Sequence, residues 1–259
     1  MKNTWIYFKI ILFYLLSMLL FAFSNAICKT WKFPELFSLI FATVLTCGLI
    51  YIFIRWDKIS LTQIGLGGKK SWISKFCIGV CIGVVVVGIM TLIITNLTDI
   101  VFKRSPKFQP GQFALYIPLF LFVALREELT FRTYMLWRLN DKIGPILSLT
   151  CVTMVFIAEH MIAGLTLKNA LIGSGLGALL FGIATLRTGN IALSTGLHFA
   201  WNSAHWMFGF KDNTGLFIET VAKGNESQGE IVAYMAYTAV MLLGIVAVIL
   251  ISKPFQHTR

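Results

Sequence analysis

The chain has 259 residues, 57% hydrophobic and only 13% charged, about half the charged fraction of an ordinary soluble domain. A mean hydropathy of +0.80 is more apolar surface than a chain this short can bury in a core, so lipid must solvate much of it. The net charge is +11, yet the basic residues fall mostly between apolar runs, and no basic stripe with interleaved aromatics has room to form; nucleic acid is excluded as a partner.

A spanning helix needs about 20 apolar residues, and by that measure the sequence predicts eight, over 5–27, 34–54, 75–96, 112–139, 144–163, 168–186, 190–210 and 231–252. The first is too long for a signal-peptide core and lacks a small-x-small cleavage site, so it reads as a retained span. Polar punctuation separates the spans: Lys29 to Pro34, Arg55 to Lys75 with Gly65, Gly67 and Gly68, the pair Gly144-Pro145, and the polar stretch Lys211 to Glu230, which holds Asp212, Glu219 and Glu226. The expected fold is an all-α polytopic membrane protein. It divides into N-terminal helices (1–110), a motif-bearing core (111–210) and a polar loop with the last helix (211–259). Cys28, Cys47, Cys77, Cys81 and Cys151 form no CxxC pair, which argues against a disulfide framework or a zinc-thiolate site. Fourteen of the 22 basic residues, in 1–10, 55–75, 126–143, Arg187 and 253–259, fall on the side that carries both termini; the expectation is therefore N-in, C-in.

Ionisable groups inside a bilayer cost several kcal/mol and call for a reason. All four aspartates (Asp57, Asp99, Asp141, Asp212) fall in gaps or at helix ends, which excludes an intramembrane aspartyl dyad. The string H-E-x-x-H is absent. A serine site would need Ser174 with His205, but Gly173-Ser174-Gly175 reads more simply as small residues that let helices approach. Glu127, Glu128 and Glu159 remain within spans, with His160, His198 and His205, and Arg126 and Arg132 beside them.

These residues form three patterns. Glu128 and Arg132 are four apart, acid first, the better order for a helical ion pair. Glu127 is rotated by about 100° and can face a water or a histidine from another helix. Phe156 and His160, and again His198 and Asn202, are four apart and share a face. Taken alone, the first pattern is equally well a solvated charge cluster at a helix end, and a lone intramembrane histidine is more often a packing residue. Two histidines and a glutamate on separate spans are harder to dismiss.

In this order, E-E-x-x-x-R, F-x-x-x-H and H-x-x-x-N on successive helices resemble the CAAX protease and bacteriocin-processing (Abi) family across residues 112–210. Gly173, Gly177 and Gly182, and then Thr188-Gly189-Asn190, are similar to that family too. The resemblance implies an eight-helix intramembrane endopeptidase. Glu127 and His160 would activate a water, His198 and Asn202 would stabilise the oxyanion, and Glu128 and Arg132 would support them. Two positions depart from the pattern: Thr133 stands where the family often has glycine, and Glu159 stands beside His160, where it could raise the histidine's basicity or face another way.

The cofactor stays open at this point. Glu127, His160 and His198 could instead ligate zinc with a water in the fourth position; asparagine, a poor zinc ligand and a good oxyanion donor, favours metal-free water activation. The expected partners are a lipid bilayer and a peptide or membrane-associated protein substrate, in a bacterial cell membrane. A small transporter, or a non-catalytic immunity or regulatory scaffold, would also place such groups in spans. Depth poses a problem for convergence. His160 lies about 24 Å from Gly144, Glu127 about 20 Å from Asn140 and His198 about 12 Å from Asn190, so a helix must tilt or a boundary must move.

Overall fold

The structure, a computed structural model, describes residues 2–67, 69–211, 214–221 and 226–252. Gly68, Asp212 and the basic residues of 253–259 lie outside the described residues. Among the described residues there are eight α-helices: α1 Lys2–Cys28, α2 Pro34–Asp57, α3 Lys69–Leu97, α4 Gly111–Thr130, α5 Leu136–Ile162, α6 Gly175–Thr188, α7 Ala192–Met207 and α8 Glu226–Ile251. The polar stretch read as loop contributes one element not expected from sequence: Phe217–Thr220 (β2) pairs antiparallel with Val101–Arg104 (β1). This two-stranded ribbon ties the approach to α4 to the approach to α8.

Among the described residues, six stretches are long and apolar enough to cross a membrane, and the protein is an integral membrane protein. The exact count of eight spans is not confirmed: these six stretches cover seven of the expected spans, because Gly111–Ile162 covers two, and 190–210 is not among them. α7 is 16 residues long, about 24 Å, and is mostly buried against its neighbours. The stretch Gly111–Ile162 is 52 residues long, about 78 Å if straight and far more than a bilayer's thickness, so it has to turn back. It turns at two places. Thr133 leaves helical geometry within a π-helical turn, Phe131–Met135, with its hydroxyl donating to the Leu129 carbonyl, a back-bond that bends helices. Gly144 adopts φ 78° ahead of Pro145, which favours glycine, and Pro145 has no amide hydrogen to continue the ladder.

The expected span 112–139 is thus too long by about seven residues, and its excess is a separate short helical segment after Thr133. Hydropathy missed this because Tyr134, Met135, Leu136 and Trp137 are as buried as any spanning residues. The correction removes the depth conflict between Glu127 and His198, while His160 stays about 24 Å from the Gly144 break. Measured from Thr133, Glu127 is six residues in, about 9 Å, comparable to His198 from Asn190.

α3 and α7 cross with their backbones in close approach. A Cβ on Gly79 would strike the Leu193 carbonyl, and one on Gly196 would strike the Phe76 carbonyl. Small residues at such crossings let dispersion and weak polar contacts act where no hydrophobic force drives helices together. This crossing fixes α7, and with it His198 and Asn202. On the other flank, Phe13 of α1, Phe53 of α2 and Tyr134 pack in a tight aromatic triad.

Candidate active site

A cavity of about 770 Å³ runs between α3 and α8 and is lined by Glu127, His160, His198 and Asn202 together with Phe181 and Trp201. All four residues read from sequence as reacting groups therefore reach one space, from α4, α5 and α7. A second cavity, of about 320 Å³, lies between α1, α2 and α4 and is lined by Arg126, Glu159, Glu127 and His160. Glu127 and His160 stand where the two cavities meet.

His198 is the hub. Its Nδ1 lies 3.1 Å from Glu128 Oε1 and its Nε2 lies 3.6 Å from Glu127 Oε2. The adjacent glutamates, rotated apart on α4, thus flank the two ring nitrogens of one histidine. The ring stacks on Phe181 at 4.5 Å. Glu128 and Arg132 have fully buried side chains 3.8 Å apart, an ion pair too long for a hydrogen bond. The guanidinium is also surrounded by the rings of Phe156, Phe131 and Phe181 at 4.7, 5.5 and 5.9 Å, contacts that compensate a cation removed from water.

His160 has a defined tautomer. Its Nδ1 lies 2.9 Å from the Phe156 carbonyl oxygen, which can only accept, so Nδ1 carries a hydrogen and, in the neutral ring, Nε2 is the nitrogen with the lone pair. The ring packs on Phe156 at 4.3 Å. The paired Phe and His of the second pattern thus do two jobs: the phenylalanine's carbonyl sets the tautomer and its ring sets the orientation. Glu159 is held by groups other than His160. It accepts from Arg126 at 2.9 Å and from the Tyr14 hydroxyl at 3.3 Å.

Asn202 accepts at Oδ1 from Lys211 Nζ at 3.0 Å. Ser174 and His205 line the same cavity, but no hydrogen bond joins them among the described residues, and His205 is stacked between Trp201 and Phe210. Glu219 of β2 also lines the cavity, and burial pushes its carboxyl above the usual range. Among the described residues no three His, Cys, Asp or Glu side chains are gathered as a metal-ligand group. Glu127 and His198 stand together at 3.6 Å, and His160 lines the same cavity without forming a preassembled zinc set with them among the described residues.

Sequence reasoning missed Lys211, which falls in a polar gap with no motif. It also missed that Arg126 and Glu159 are partners. That pairing had a signal: two opposite charges on neighbouring spans, each costly alone in lipid, would be expected to meet.

The fold and site define a polytopic helical membrane protein with a glutamate, two histidines and an asparagine converging on an interior cavity. Residues 109–204 match the family described as type II CAAX prenyl endopeptidase Rce1-like. The resemblance carried by the three motifs is shown over that segment, and the family is one of proteases. No curated protein and no solved structure matches the chain.

Proposed function

We propose that the protein is an intramembrane endopeptidase in which Glu127 and His160 activate a water and His198 and Asn202 stabilise the oxyanion. The observation that carries this reading is the convergence of these four side chains on one cavity, with His160 held in the tautomer that leaves Nε2 as the base. A water held by Glu127 and His160 Nε2 attacks the scissile carbonyl, and the pair takes up its proton. The tetrahedral oxyanion accepts from the Asn202 amide and from His198 Nε2–H. For His198 to donate there while Nδ1–H is held by Glu128, the ring must be the imidazolium; the carboxylates on either side supply the countercharge. The proton then passes to the leaving amine. The smaller cavity beyond Glu127 and His160 gives water a route that a substrate in the larger cavity does not block. No step passes through a metal.

The family description makes a prenylated CAAX peptide the first substrate to try; a processed peptide or membrane-associated protein of a bacterial cell membrane, met with both termini cytoplasmic, is the wider class. The test uses purified protein and an internally quenched peptide ending in a farnesylated Cys-aliphatic-aliphatic-X sequence. Glu127→Gln and His160→Ala should each lower turnover by about 100-fold or more while leaving membrane expression unchanged, and a chelator should leave wild-type turnover intact. Wild-type turnover in both variants would overturn the roles given to Glu127 and His160, absence of any turnover in the wild type would point instead to a non-catalytic scaffold, and chelator loss restored by zinc would overturn the metal-free mechanism.

A further inference from the structure

We propose that Lys211 is a positioning residue of the oxyanion site: its ammonium sets the flip of the Asn202 amide so that the NH2 group, not the carbonyl, faces the reacting centre. The inference rests on the reading of Asn202 as an oxyanion donor. Lys211 lies in the turn after α7, nine residues beyond Asn202, and donates from Nζ to Asn202 Oδ1 at 3.0 Å. It lies outside the segment that matches the protease family, 109–204, and reaches back into the cavity that Asn202 lines. Its ammonium packs 4.9 Å from the centre of the Phe120 ring on α4, a cation–π contact that holds it in place.

An asparagine side chain presents an acceptor on one side and two donors on the other, and the two orientations have nearly the same shape. An ammonium has donors only. The amide atom turned to Lys211 must therefore be the oxygen, and the nitrogen is turned away from it. Asn202 and His198 are one turn apart on the cavity face of α7, so the NH2 and the imidazole can serve the same oxyanion. Without the ammonium no donor holds the oxygen on this side, and an amide turned over aims a carbonyl oxygen, not a donor, at developing negative charge. Catalysis by such donors depends on their being oriented before the charge appears.

The farnesylated peptide assay and a second measurement without turnover test this together. Lys211→Met should lower kcat by roughly 100-fold, the loss typical of one oxyanion donor, with KM changed by less than about threefold. Lys211→Arg, which keeps a cationic donor, should recover most of the rate. Asn202→Ala should fall as far as Lys211→Met, and the double variant should fall no further, because the lysine acts only through the amide. In protein labelled with 15N-asparagine, the Asn202 side-chain signal, assigned by its loss in Asn202→Ala, should shift in Lys211→Met. Normal kcat in a folded Lys211→Met variant, multiplied losses in the double variant, or an unmoved Asn202 signal would each overturn the proposal. A wild-type protein that cleaves no such peptide counts against the protease reading and removes the oxyanion role with it; the amide signal still reports whether the lysine orients Asn202.

Discussion

Glu128 and Arg132 form a buried pair that is costly to separate. Both side chains are at 0% exposure, and removing one partner of a buried pair costs about 3–5 kcal/mol because the other charge is stranded. Arg132→Met should therefore lower the unfolding temperature in detergent sharply, and Glu128→Gln combined with it should recover much of the loss. Equal unfolding temperatures for wild type and Arg132→Met would show that the aromatic rings alone do not need the arginine. Glu159 makes the opposite case. It is bonded to Arg126 and Tyr14, so Glu159→Gln should keep cleavage within about tenfold of wild type, whereas His160→Ala removes the proposed general base and should cost about 100-fold or more. A loss in Glu159→Gln as deep as that of His160→Ala would restore the alternative, that Glu159 tunes the histidine. At this scale the spacing of four within a helix made the Glu128–Arg132 pair, the Phe156–His160 pair and the shared face of His198 and Asn202 legible in sequence. What could not be read was which nitrogen of His198 meets which glutamate, since that depends on the rotation of one helix against another.

Helices were legible from their apolar runs and their breaks only in part. Gly144-Pro145 announces a boundary because glycine and proline act on the backbone whatever surrounds them. Thr133 does not, because threonine occurs freely in helices; its break depends on the back-bond and on the packing of the segment that follows. The structure also places the backbone departure at the position where the resembled family often carries glycine. The α3–α7 crossing was equally hidden: Gly79 and Gly196 are far apart in sequence and only the assembled bundle brings each against the other helix's carbonyls. Gly196→Val should therefore force the two helices apart, at a cost of 1–3 kcal/mol or more, and should reduce turnover by displacing His198, two residues away. Gly88→Val on the same α3, where an added Cβ meets nothing within 4 Å, provides the control and should leave both stability and turnover near wild type. If the two valines behave alike, close approach at Gly196 is not what holds α7 in register.

The match to a known family spans residues 109–204, yet the molecule distributes the environment of those residues over the whole chain. α3 contributes Met90 and Ile94 to the cavity wall, and α8 contributes Tyr234 and Tyr237; the Tyr237 hydroxyl donates to the Gly173 carbonyl and Tyr234 to Asn169. On the other flank Asp57, at the end of α2, accepts from Lys9 of α1, from Tyr134 and from Arg138. A carboxylate with three donors from separate segments anchors the turn after Thr133, and so the end of α4 that carries Glu127. A chain of residues 105–210 would keep every motif and lose all of this: Arg138 and Tyr134 would be left without Asp57, the Gly196 face of α7 without α3, and the cavity without its α3 and α8 walls. Such a chain should enter membranes but resist extraction as a single species, showing aggregation in gel filtration and rapid cleavage by added protease. In the full chain, Asp57→Ala should reproduce part of that effect by stranding Lys9 and leaving Arg138 with Asp141 as its carboxylate partner, with a loss of about 3 kcal/mol and a fall in turnover although the substitution touches none of the four residues proposed to react. A stable, active 105–210 fragment would mean that the motifs carry their own fold and that the helices on either side serve only to embed them.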